Sequence, residues 1–136
     1  MFFADIMKFT VPGQPEYIKV VRLGVSALAD NAGFDVEAID DMKLAVDEAC
    51  KAMTCHGHHQ WINHYEVSCE MEEEKMTITV TDAGEGRGIE KLYRPCKNCP
   101  QDGDLAMILI KTLMDSVEIV SGEGNKKSII MVKSKC

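Results

Sequence analysis

Two carboxylates in this chain stand where chemistry is possible. Glu48 lies on a helix-like segment. Asp82 ends a strand-like run in which Met76, Ile78 and Val80 alternate with Thr77, Thr79 and Thr81, so by parity Asp82 points with the apolar set. An acid on a buried face is costly unless it has a partner. It opens the run Asp82-Ala83-Gly84-Glu85-Gly86. Glycines there let a backbone approach a ligand closely, although a D-x-G-x-G run also fits a plain turn. Farther along, Gly103-Asp104 begins another helix, and a helix N-terminus favours phosphate.

A second set of reactive residues is Cys96-Lys97-Asn98-Cys99, a C-x₂-C knuckle. With Cys55, His56, His58 or His59 it could complete a tetrahedral zinc site, but a second knuckle of standard spacing is missing. A redox pair and ordinary loop thiols are the other readings. Cys50 reads as core packing, because a free cysteine behaves as a small apolar residue.

The elements that must position these residues follow from periodicity. Residues 6 to 11 alternate and predict an edge strand ended by Pro12 and Gly13. Pro15 suits the first turn of a helix continued by Ile18, Val21, Val25 and Leu28, with Gly33 as its C-cap. Asp35 is the expected N-cap of a second helix, with Phe34 stapled on Ile39. Its apolar stripe is Val36, Ile39, Met42, Val46, Ala49 and Met53, while Asp41, Glu48 and Ala52 share another face; Gly57 is the expected stop. Residues 61–69 and 76–82 predict a β-hairpin, with the acids Glu70 and Glu72 to Glu74 about its turn. Residues 83–103 hold Gly84, Gly86, Gly88, Pro95, Pro100 and Gly103 and read as a lid or binding loop. The helix from Asp104 to Asp115 is apolar nearly all round and should be buried, and strands at about 116–121 and 127–133 finish the chain. The order β-α-α-β-β-lid-α-β-β does not alternate as a doubly wound sheet does. It predicts an α+β two-layer sandwich, a mostly antiparallel sheet with helices on one face.

Composition bounds the function. The 136 residues suit a single domain, 1–136, of ordinary makeup, 46% hydrophobic and 27% charged. A net charge of −7 argues against a general nucleic-acid binder. No apolar run approaches the ~20 residues of a membrane span. Met1-Phe2-Phe3-Ala4-Asp5 lacks the basic and apolar regions of a signal peptide, so a cytoplasmic location and reduced thiols are expected for the six cysteines.

Several motifs carry a resemblance over nearly the whole chain. They are Leu44-Ala45-Val46-Asp47-Glu48-Ala49-Cys50, His56-Gly57, Asp82-Ala83-Gly84-Glu85-Gly86, Ile110-Lys111-Thr112-Leu113-Met114-Asp115 and Met131-Val132-Lys133, with Ala32-Gly33-Phe34-Asp35 and Ala38-Ile39-Asp40-Asp41 before them. Together these resemble the GHKL ATPase superfamily of Bergerat fold. More narrowly, they resemble the anti-sigma-factor serine kinases of bacterial sporulation and stress regulation. The resemblance implies ATP or ADP and Mg²⁺ as cofactors. It also implies a sigma factor and an anti-anti-sigma protein as partners, and a homodimer. It assigns Glu48 as general base toward the partner's serine, Asp82 as acceptor for the adenine amino group, and Gly84 and Gly86 to the first glycine box.

The pattern also departs from that family. Four residues after the glutamate the family carries an asparagine that binds Mg²⁺; here the position is Ala52, which has no oxygen to offer. Lys51 is one residue away, about 100° around the helix, and could meet phosphate without replacing a metal ligand. The second glycine box aligns with Asp104-Leu105-Ala106, leaving Gly103 to act one residue early, and Arg87 replaces an apolar residue. These departures predict weakened or lost kinase activity. The alternative reading is a metal- or redox-sensing interaction module built on Cys96, Cys99, Cys55 and His56 without nucleotide.

Overall fold

The computed structural model describes residues 4–53, 64–82, 105–121 and 127–135. Five strands form one sheet: β1 (Asp5–Pro12), β2 (His64–Met71), β3 (Lys75–Asp82), β4 (Ser116–Ser121) and β5 (Lys127–Ser134). Their order is β1-β2-β3-β5-β4 and every neighbouring pair is antiparallel. Three helices complete the described elements: α1 (Ile18–Ala32), led in by a 3₁₀ turn at Pro15–Tyr17, α2 (Val36–Lys51) and α3 (Leu105–Leu113). This is the α+β sandwich that the element order predicts.

The sheet's strands alternate buried and partly exposed residues, as a sheet covered on one face must. Tyr65, Val67 and Cys69 on β2, Met76, Ile78 and Val80 on β3, and Ile129 and Met131 on β5 are all buried. They meet Val21, Val25 and Ala29 of α1, Met42, Ala45, Val46, Ala49 and Cys50 of α2, and Met107 and Ile110 of α3 in one core.

The helix ends follow local chemistry. Gly33 closes α1 with φ 95°, the left-handed conformation that glycine adopts without a Cβ penalty, and its N–H reaches the Ala29 and Asp30 carbonyls. The Asp35 carboxylate accepts from the Ala38 N–H at 2.8 Å and so caps α2. The hairpin turn of acids is also as expected, with the Glu72 N–H donating to the Lys75 carbonyl at 2.9 Å.

Three expectations need correction. Helix α2 stops at Lys51, with Ala52 as its cap, and does not run to Gly57, which lies outside the described residues. The Met53 N–H turns to the Cys50 carbonyl at 2.9 Å, a tightened last turn that ends the α pattern and tucks Met53 into the core. Val36 is not part of the buried stripe; it is 74% exposed, because it opens the first turn of α2, before the helix reaches the core. Helix α3 is not buried all round. Met107, Ile110 and Met114 form one sealed stripe at helical spacing, while Ile108 is 55% exposed and Leu109 sits at the margin.

Candidate functional site

Glu48 comes from the last turn of α2, and the elements around that helix fix its position. Arg22 of α1 donates to Asp47 at 2.8 Å, the residue just before Glu48, and locks the two helices together. Lys133 of β5 donates to Asp41 of α2 at 3.1 Å and to the Leu113 carbonyl at 2.6 Å. One largely buried ammonium therefore ties α2 to the sheet and also satisfies a carbonyl at the C-terminal end of α3, where a cation is favourable. Neither tie was singled out in the sequence. Each depends on which helix faces meet, and helical spacing alone does not give that.

Glu48 is itself mostly buried and meets Lys51 at 3.5 Å from Oε1 to Nζ. The structure thus brings together two of the sequence-selected residues, since positions i and i+3 share a helix side. Ala52 follows as the helix cap, its N–H donating to the Glu48 carbonyl at 3.2 Å. Its side chain is a methyl group and can ligate nothing. Among the described residues no three His, Cys, Asp or Glu side chains gather where they could hold a metal ion. At the position where the resemblance expects a metal ligand, Ala52 therefore offers a divalent cation no oxygen.

Asp82 ends β3 on the inner face and is fully buried, as its parity requires. Across the ladder it is in register with Tyr65 of β2, which in turn pairs with Val11 of β1. Tyr65 is also fully buried. Its hydroxyl interacts with the thiol of Cys50, two residues beyond Glu48, and this links the Asp82 end of the sheet to the Glu48 turn of α2. Yet among the described residues no group stands in good hydrogen-bond geometry to the Tyr65 oxygen, and the same is true of the second carboxylate oxygen of Asp47. Burial is the main cause pushing the Tyr65 hydroxyl's pKa up, with the neighbouring Cys50 adding to it. Burial likewise pushes Cys50 up to about 12, against a smaller lowering by the Tyr65 contact and a further small rise from the Asp47 charge.

Tyr65 was legible as an inward residue of the hairpin but not as a polar neighbour of Asp82. A buried hydroxyl without a good partner forfeits its solvation, so Tyr65→Phe should leave the protein as stable as before or stabilise it by up to about 1 kcal/mol. Urea denaturation checks this; a loss larger than that would mean the hydroxyl holds the fold together.

Gly84, Gly86 and Gly103, the lid at 83–103, and Cys55, His56, Cys96 and Cys99 lie outside the described residues. No helix among the described residues is long and apolar enough to cross a membrane.

Comparison with known proteins bears on the family and the fold. A family model described as the histidine kinase-like ATPase domain matches residues 11–133. The chain is 29% identical to a serine-protein kinase RsbW of Bacillus cereus, with 93% of this chain and 83% of that protein covered. The RsbW of Bacillus thuringiensis subsp. konkukian matches at the same identity and coverage. Among solved structures, the RsbU and RsbW domains of a Mycobacterium tuberculosis protein superpose with a TM-score of 0.68 at 13% identity. That likeness, of fold alone, covers 96% of this chain and 32% of the larger one, so the chain spans about a third of that structure.

Proposed function

The chain belongs to the histidine kinase-like ATPase domain family, and on that footing we propose that it is an anti-sigma-factor-like regulator that binds adenine nucleotide and has reduced or lost serine kinase activity. The observation that carries the reading is the fully buried carboxylate of Asp82, which ends β3 opposite Tyr65, itself touching the α2 turn that bears Glu48. A buried acceptor at a strand end suits a flat heterocycle with an exocyclic amine. Its similarity to RsbW, a serine-protein kinase, supports ATP as the nucleotide and a sigma factor or anti-anti-sigma protein as the partner.

Each residue has a role in this reading. Asp82 accepts a hydrogen bond from the adenine amino group, and Gly84 and Gly86 let the following backbone lie against the base. Gly103, before α3, offers backbone N–H groups to phosphate. Glu48 is the candidate general base. When the partner's serine oxygen bonds to the γ-phosphorus and the bond from that phosphorus to the β-bridging oxygen breaks, the hydroxyl proton passes to the Glu48 carboxylate and ADP leaves. No step is assigned to Mg²⁺, because Ala52 supplies no ligand. That gap, together with the acid Asp104 at a position where the resemblance expects the second glycine box, supports weakened transfer. The same resemblance supports a cytoplasmic homodimer formed by a single domain spanning 1–136.

The decisive experiment incubates the protein with γ-³²P-ATP and a cognate anti-anti-sigma protein, with Glu48→Ala in parallel. Bound adenine nucleotide with transfer near background in both proteins is expected. Vigorous transfer that disappears in Glu48→Ala would overturn the reduced-activity reading and make the protein an active kinase.

A further inference from the structure

A polyphosphate placed beside Glu48 meets an unfavourable field. Glu48 is an acid, and the C-terminal end of α2 carries the negative pole of the helix dipole. Some cation must offset this, and Ala52 offers a divalent ion no ligand on α2. The cations nearby differ in where they are held. Arg22 is committed to Asp47 at 2.8 Å, and Lys133 is bonded to both Asp41 and a helix carbonyl. Lys51 is placed differently: it meets Glu48 itself at 3.5 Å, its side chain is 44% exposed, and it stands in the last turn of α2.

We infer that Lys51 supplies the positive charge for the terminal phosphates, so that nucleotide binding at this site does not depend on a divalent metal. This rests on the nucleotide reading above and deepens it. A lysine ammonium is a mobile point charge with three donors and a common phosphate ligand, but it imposes no coordination geometry. It therefore supports binding without ordering the γ-phosphate for in-line attack, which accounts for a site that binds nucleotide and transfers phosphate poorly. The contact also makes the binding reciprocal. When Lys51 turns from Glu48 to phosphate, the carboxylate gives up that contact, so phosphate and Glu48 compete for one ammonium.

Fluorescent or calorimetric titration of the full chain with adenosine, ADP and ATP, in EDTA and then in excess Mg²⁺, tests the inference. In the natural sequence the ATP dissociation constants with and without Mg²⁺ should agree within about threefold. Lys51→Met should weaken ATP binding by about tenfold or more and adenosine binding hardly at all, as expected for loss of one charge-assisted contact. Lys51→Arg should retain most of the ATP affinity, which separates charge from packing. Ala52→Asn should add a Mg²⁺-dependent gain that the natural protein lacks. Tightening of the natural protein by tenfold or more on adding Mg²⁺, or ATP affinity unchanged in Lys51→Met, would overturn the role of Lys51 while leaving the nucleotide reading intact. If neither adenosine nor ATP binds in either condition, the nucleotide reading fails and this inference falls with it.

Discussion

Raising the pH from 9 toward 12 is expected to destabilise the protein steeply, and the buried thiols are the reason. Cys50 and Cys69 are both buried in the core, and burial raises each thiol from 9.0 to about 12. In the unfolded chain they ionise near pH 9. Below that pH both states keep the protons and the stability contribution is fully present. Between 9 and about 12 the unfolded state releases protons that the native state retains, so stability falls as pH rises. The slope is roughly 1.4 kcal/mol per pH unit for each thiol, or roughly 3 for the pair, against a total domain stability of about 5–15 kcal/mol. The Tyr65 hydroxyl, raised by the same burial, steepens the loss at the upper end. Circular dichroism against pH measures the transition. The double variant Cys50→Ala, Cys69→Ala should show a flatter alkaline limb, even if its neutral-pH stability is lower. An identical limb in the two proteins would exclude the thiols as the cause. The same burial predicts that neither thiol reacts with a disulfide reagent at pH 8 until the protein is denatured.

The thiol result bears on the chain's other reading. Six cysteines make a metal or redox module look natural. Two of them, Cys50 and Cys69, prove to be core residues, and the comparisons give a metal-sensing module no support. The knuckle of Cys96 and Cys99 stands outside the described residues and carries no part of the function proposed here.

Much of the fold was legible because its signals are local. The left-handed cap at Gly33, the Asp35 cap, the hairpin acids and the inward parity of Asp82 each depend on a few adjacent residues. Parity alone did not give the Tyr65–Asp82 register; it follows once the turn is fixed, since antiparallel partners keep a constant sum of residue numbers and Met71 faces Met76. What was not legible depends on how separate elements meet. The Arg22–Asp47 and Lys133–Asp41 pairs join elements distant in sequence, and their partners cannot be selected until the helices are docked. The half-exposed side of α3 is the same lesson in reverse. Its sequence is apolar nearly all round, yet among the described side chains Met107, Ile110 and Met114 are the ones sealed in the core, with Leu113 packed at its edge and Ile108 left exposed. The Lys51–Glu48 contact falls between these cases. The spacing of three permits it, but only the fold puts the pair at the C-terminal end of α2, where Ala52 leaves no ligand beside it.

Substituting Asp82 should produce the largest change in ligand recognition, and its sign can be derived from the donors and acceptors alone. A buried carboxylate only accepts hydrogen bonds. Adenine presents an amino donor at the position where guanine presents a carbonyl acceptor. The natural protein should therefore prefer ATP to GTP strongly, because guanine would place one acceptor against another in a site with little water. A hydrogen bond to a charged group contributes about 1.5–3 kcal/mol, so Asp82→Ala should weaken ATP by roughly 10- to 100-fold or more. Asp82→Asn is the sharper variant. Its amide keeps the size of the carboxylate and can still offer an oxygen to adenine, so ATP should weaken by roughly tenfold only. The amide can also turn its NH₂ toward a guanine carbonyl, so GTP should bind better than it does to the natural protein, and the ATP-to-GTP ratio should contract from both sides. Competitive titration of ATP against GTP in EDTA reads this without any contribution from metal. Because Asp82 is fully buried, a denaturation curve for each variant must accompany the titration. Asn at this position should fold, since the substitution removes a buried charge and keeps its volume. A folded Asp82→Asn protein with unchanged ATP and GTP affinities would mean that the buried carboxylate serves the end of β3 and not a base, and the nucleotide site would have to be sought elsewhere on the molecule.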